Sequence, residues 1–294
     1  MTDTLPVTGD GTGVPHRVVD APLVAPTADQ GLVGVFRRRY LLKLLVRREI
    51  SARYQGSVLG LMWSYLNPLS QFLIYWLIIG TIFDLHDSIE NFAIHIFSAL
   101  VIVHYFNETL NAGTRSIVRN KALVKKLAMP REMFPVASML VSLYHVGPQL
   151  VILVIACLFY GWTPTLAGAA AFAIALLLIM ILGTALALAL SAANVFFRDV
   201  GSLVNIVTNL VRFGVPMIYS YELVNERFGR FADYYVYNPI ADAVMLFQQA
   251  FWAGTTKDPQ DTLDNKLPPD LLMLGLIGIG ISLVLLVLAQ LVFT

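Results

Sequence analysis

The run LAGAAAFAIALLLIMILGTALALALSAANV, residues 166–195, carries no charged side chain and decides the fold class. A hydrocarbon core about 30 Å thick asks for roughly 20 consecutive apolar residues in a helix, and this run exceeds that. Five further stretches behave the same way, at about 59–83, 92–112, 134–159, 202–219 and 271–293, the fifth span at 202–219 being the weakest. Composition agrees: 57% of the 294 residues are hydrophobic and 13% are charged, against about 25% charged in soluble domains. Mean hydropathy is +0.70. A water-soluble domain of this length has nowhere to hide so many apolar runs, so the expectation is an all-α integral membrane protein with six spans.

Lysine and arginine set the expected topology. Eight precede the first span, none lies in 84–91, six lie in 113–133, none in 160–165, and only Arg198 in 196–201. The segment 220–270 holds four, against eight acids. Flanks that alternate basic and bare follow the positive-inside rule, which predicts both termini in the cytoplasm. Residues 1–30 are rich in Gly, Pro and small polar side chains, read as a disordered cytoplasmic tail without a signal peptide. Residues 31–58 mix leucines with Arg37, Arg38, Arg39, Lys43, Arg47, Arg48 and Arg53, the composition of a helix lying at an anionic membrane surface. The basic positions interleave with the leucines round the helix, so this reading rests on composition. The six-span domain then occupies 59–294, with 220–270 as its sizeable extracytoplasmic element.

Several chemistries are excluded or left without candidates. A net charge of +1 offers no field for nucleic acid, and no nucleic-acid-binding motif is present. Cys157 is the sole cysteine, which rules out an intrachain disulfide and a thiolate metal cluster. No Gly-Lys dipeptide occurs, so the phosphate-cradling P-loop is absent. His95 and His104 are nine residues apart, about 180° round one helix, and His16 and His86 sit in unrelated segments, which makes no metal site. No nucleophile–base arrangement or carboxylate pair stands at a membrane face, and transport becomes the expected class.

Four features are candidates for that role. Phe72, Trp76 and Phe83 fall within about 20° of Tyr65 at 100° per residue, an aromatic stripe. Such a stripe either lines a sugar path or belongs to an interfacial belt. Asn107, Glu108 and Asn111 lie in the inner half of the second span, with His145 and Arg212 inside the third and fifth. Ionisable groups at such depth face a cavity or one another, Glu108 with Arg212 being one pairing, or else sit at interfaces and snorkel. The loop from Asn120 to Pro135 sets Leu123, Val124, Leu127 and Met129 beside Lys121, Lys125 and Lys126. That composition suits a short helix offering apolar knobs to a soluble partner's groove, and equally a solvated or lipid-contacting loop.

In order along the chain, these pieces resemble one family. Arg53-Tyr54-Gln55-Gly56-Ser57-Val58-Leu59-Gly60 with Trp63 and Pro68, the loop with Met129-Pro130-Arg131-Glu132, Phe197-Arg198-Asp199, Pro216 to Tyr219, and Asn238-Pro239 are similar to permease subunits of polysaccharide-exporting ABC transporters. These are the Wzm-like O-antigen and teichoic-acid class, and the overall look is closest to actinobacterial exporters of lipid-linked cell-wall galactan. The resemblance covers roughly residues 35–292. It departs at Val215, where a serine is common before the proline, and at Thr294, where relatives carry a short tail.

The resemblance implies a homodimer with twelve spans in the bacterial plasma membrane and two copies of a P-loop ATPase subunit beneath it. ATP and Mg would be bound by that partner, with no cofactor and no catalytic residue in this chain. The implied coupling contacts are Leu123, Val124, Leu127 and Met129, with Arg198 and Asp199 near a smaller second one. Tyr219, Tyr221, Tyr234, Tyr235 and Tyr237 would belong to extracytoplasmic gate helices, and the aromatic stripe would line the polymer channel. The implied substrate is a polyprenyl-diphosphate-linked polysaccharide. Alternatives are an ion-gradient-driven flippase of lipid-linked oligosaccharide, a membrane glycosyltransferase or polymerase, and a small-molecule ABC exporter.

Overall fold

Backbone placed in hydrocarbon must satisfy its own hydrogen bonds, and the apolar segments do so as helices. The computed structural model describes residues 31–82, 89–126, 129–229 and 232–293, and no strand occurs among them. The expected tail at 1–30 lies outside the described residues. The basic segment forms two helices, α1 (Leu32–Arg37) and α2 (Arg39–Tyr54), broken at Arg38. A single surface-lying helix is thus corrected to two, and α2 leans on a spanning helix instead of lying free.

Among the described residues, four helices are long and apolar enough to cross a membrane: α4 (Phe92–Arg119), α6 (Met133–Phe159), α7 (Leu166–Phe196) and α13 (Leu271–Phe293). The other two expected spans take different forms. The first is helical from Gly60 to Ile82 but changes type, from a 3₁₀ turn to α3 (Trp63–Ile74) to a π-helix over Tyr75–Ile82. Pro68 sits inside α3, where its missing N–H removes one helical bond. The fifth is α8 (Val200–Gly214), whose 15 residues reach about 22 Å, short of a hydrocarbon core. It stops before Pro216, since Val215 is extended, as a residue preceding proline prefers.

The core is built round α7, which packs on α13, α4, α11 and α6. Small residues set its distance to α4: a Cβ added at Gly113 would lie 2.5 Å from the Ala187 Cβ. Between α8 and α13 the chain forms α9 (Tyr221–Phe228), α10 (Ala232–Tyr235), α11 (Pro239–Phe251) and, after a tight turn, α12 (Pro259–Asn265). Ala241 to Gln248 of α11 are all buried, enclosed by α4, α7 and α13. A helix of the segment read as lying outside the bilayer is therefore part of the bundle core. At 13 residues it is too short for a span-length hydropathy window to single out.

Two ends of the bundle differ. At one, Glu132 accepts from the Gly31 N–H at 2.9 Å and from Gln290 Nε2 at 3.2 Å. The beginning of α1, the start of α6 and the tail of α13 thereby meet, and with them the basic residues of α2 and of the short helix α5 (Lys121–Lys126). We call this the basic end. At the other, Asn91 Nδ2 donates to the Thr255 carbonyl at 2.6 Å and the Thr163 N–H to the Gly254 carbonyl at 3.2 Å. Both ends of the described chain lie on the basic side. The segment read as a loop over 113–133 begins inside α4, which stays helical to Arg119.

Candidate functional site

His104, Asn107, Glu108, Asn111 and Arg115 stand at i, i+3, i+4, i+7 and i+11 of α4, which puts them on one face. Their partners come from three neighbours, α2, α6 and α8. From α2, the Arg53 guanidinium donates to Glu108. From α6, Gln149 Nε2 lies 3.0 Å from His104 Nδ1, and His145 Nδ1 lies 3.0 Å from the Tyr54 hydroxyl, which also meets Ser64. From α8, the Thr208 carbonyl accepts from Asn107 at 3.3 Å, while Arg115 donates to the Gly201 carbonyl at 3.0 Å and to Asn205 Oδ1 at 3.1 Å.

The pairing of Glu108 with Arg212 is thus replaced by Glu108 with Arg53. The reason is position: α2 docks on α6 beside the α4 stripe, whereas Arg212 sits on an exposed face of α8. A carboxylate left alone at such depth costs several kcal/mol, and the guanidinium offsets that.

The sequence of α8 divides into three faces. Gly201, Val204 and Thr208 are buried against α4. Leu203, Ile206, Leu210 and Phe213 form an exposed apolar face. Between the two runs an exposed polar face of Ser202, Asn205, Asn209 and Arg212. The polar faces of α4 and α8 adjoin, and hydrogen bonds carry this polar strip, the trough, on to Arg53 and Tyr54 of α2 and to the buried His145 and Gln149 of α6. Its Arg53 and Glu108 also line a cavity of about 480 Å³ at the basic end, with Arg48, Glu49 and Arg119. Glu49 accepts from Arg119, so both acids there are paired.

The aromatic stripe separates into parts. Tyr65 is 42% exposed and Trp76 40% exposed, while Phe72 packs edge-on against Phe97 with ring centroids 5.1 Å apart. Beyond Ile74 the π-helix closes i→i+5 bonds and holds more residues per turn, but Trp76 lies only two residues into it and stays near the Tyr65 face. Phe83 lies outside the described residues.

At the basic end, Val124 joins Lys121, Lys125, Arg131 and Arg198 round one cavity of about 590 Å³. Two segments read separately from the sequence, 121–125 and Arg198, are therefore neighbours. Leu123 and Met129 are half-buried against the core, Asp199 is exposed ahead of α8, and Leu127 lies outside the described residues.

At the far end, Tyr219, Tyr234 and Tyr235 share a cavity of about 560 Å³ with Arg227 and Asn238. The Tyr219 hydroxyl donates to the Phe213 carbonyl at 3.1 Å and lies 3.2 Å from the Tyr235 hydroxyl. Burial, with that neighbouring hydroxyl, pushes the Tyr235 phenol well above its ordinary value, so it stays neutral. Tyr237 is exposed and Tyr221 packs on the core, both away from this cavity.

Sequence reasoning missed Gln248. Its Nε2 donates to the Pro216 carbonyl at 2.7 Å and lies 3.3 Å from His95 Nε2, tying α11 to the turn after α8 and to α4. Two adjacent glutamines, Gln248 and Gln249, inside a largely apolar 13-residue helix are the signal that was available.

Residues 40–252 match the family model described as ABC-2 type transporter. The chain is 25% identical over 215 residues to an O-antigen export system permease protein RfbA of Klebsiella pneumoniae, covering 73% of this chain and 81% of that one. A protein of the same description from Myxococcus xanthus is 27% identical over 226 residues, covering 77% and 85%. The matched region contains the trough, α5 and α11.

Proposed function

The chain belongs to the ABC-2 type transporter family, and from that premise we propose that it is the permease of a polysaccharide export system. Its cargo is a polyprenyl-diphosphate-linked glycan, of the O-antigen or cell-wall galactan kind, moved from the cytoplasm outward. Two copies form the conduit with twelve spans, and two P-loop ATPase subunits bind ATP and Mg at the basic, cytoplasmic end. The chain itself carries no chemistry.

The exposed polar face of α8 beside the α4 stripe carries this reading. An arginine facing lipid at the middle of a membrane costs roughly 2.5–3.5 kcal/mol on insertion scales, so this face calls for water, a polar cargo or a second copy. Amides and hydroxyls suit a neutral glycan, which offers donors and acceptors along its whole length. Tyr65 and Trp76 add aromatic surfaces for sugar C–H faces, and Arg48 in the cavity at the basic end suits a diphosphate. An ion-gradient-driven flippase is less well supported, because Glu108 is committed to Arg53.

Co-purification tests the assignment. A P-loop ATPase should accompany the chain in detergent, and Leu123→Asp with Met129→Asp should strip it away while the permease still inserts, since a charge in a desolvated contact costs several kcal/mol. Export that proceeds in a strain without any partner ATPase would overturn the reading.

A further inference from the structure

The cavity between α5 and the last turns of α7 and α13 holds four cations, Lys121, Lys125, Arg131 and Arg198, and no carboxylate among the described residues lines it. The nearest acid to Arg131 along the chain, Glu132, is already engaged by Gly31 and Gln290. Asp199 follows Arg198 but lies outside the lining, at the head of α8. Below this basic rim the wall turns apolar: Phe196 is 80% exposed and Val292 is 73% exposed. Both belong to the final turns of spanning helices, the level at which hydrocarbon gives way to headgroups.

We propose that this cavity holds an anionic phospholipid of the inner leaflet, its phosphate among the four cations and its first methylenes along Phe196 and Val292. Charge decides the headgroup: juxtamembrane basic residues attract acidic lipids, each by roughly 1 kcal/mol, and here nothing of opposite sign competes. Depth decides the class of occupant. An acidic segment of a soluble partner would satisfy the rim but leave the apolar walls, set at the end of α7 and α13, without cover. A lipid satisfies both at once. The inference rests on the topology of the proposed function and not on its cargo, and a lipid measurement is separate from any export assay.

The probes are phosphatidylglycerol and phosphatidylcholine added to the detergent-purified full-length chain, with retained lipids counted by native mass spectrometry. Phosphatidylglycerol should be retained in preference. Lys121→Gln with Arg198→Gln should weaken its retention by about tenfold to thirtyfold, at roughly fivefold per cation, and leave phosphatidylcholine unchanged. Lys257→Gln removes a cation from an exposed position at the far end and should change nothing. Inorganic phosphate should not displace the lipid.

Equal retention of the two lipids by the unsubstituted chain would overturn the proposal, as would an equal loss in the Lys257 variant. Displacement by inorganic phosphate would reassign the cavity to a free anion. A double variant that keeps its phosphatidylglycerol but loses its co-purified ATPase would reassign the rim to a protein partner. If that variant fails to fold, the lipid preference of the unsubstituted chain and its loss in Lys125→Gln decide.

Discussion

The two sides of α4 obey different physics. One side, at Gly113 and Thr109, is dry and so close to α7 that Gly113 faces Ala187 and Gly183 faces Thr109, with a Cβ at Gly183 placed 3.2 Å from the Thr109 methyl. The other, half a turn round, carries His104, Asn107, Glu108, Asn111 and Arg115, and it meets α2, α6 and α8 through hydrogen bonds and an ion pair. Apolar lipid gives helices no hydrophobic reason to associate, so the dry side is held by close packing of small residues. The polar side needs partners or water to exist at all. Substitutions on the first should therefore act on assembly, and on the second on transport.

The largest expected effect breaks the dry side. Gly113→Val brings a branched side chain where even a Cβ meets Ala187 at 2.5 Å, and overpacking of this kind costs about 1–3 kcal/mol or more. Yield of folded protein should fall steeply, with export falling in proportion, as measured by detergent-solubilised protein against exported glycan. Export lost at normal yield would break the division between the two sides.

A smaller effect sharpens the division on its aromatic margin. Trp76→Ala exchanges a 40% exposed ring on the π-helical segment. Slower export at unchanged yield would assign Trp76 to the cargo path, while a ring buried in packing would cost about 3–5 kcal/mol in stability instead. The account expects a loss of about twofold to fivefold in export, a fraction of one stacking contact, and unaltered yield.

Much of this architecture was legible from hydropathy, because a span is a property of consecutive residues. The run at 166–195 became α7 with one residue added, and 271–293 became α13. What the chain hid was pairing. Arg53 and Glu108 are 55 residues apart, and nothing local says which of Arg53 or Arg212 meets the carboxylate. Asn107, Glu108 and Asn111 were visible as intramembrane polar groups, yet their continuation to His104 and Arg115 depended on α4 staying helical to Arg119. The polar face of α8 was lost in window averages, which mix Asn205 and Arg212 with Leu203 and Phe213.

The central claim, that the polar face of α8 is wet and meets the cargo, is tested most directly by Asn209→Leu with Arg212→Leu. Both side chains are exposed, so no buried packing is lost. The measurement is lipid-linked glycan accumulating inside cells, taken with the yield and oligomeric state of the variant. The account predicts export lower by about tenfold, the equivalent of one or two hydrogen bonds to cargo, at normal yield and assembly. Unchanged export, with yield equal or improved as an apolar face in lipid would give, would contradict it.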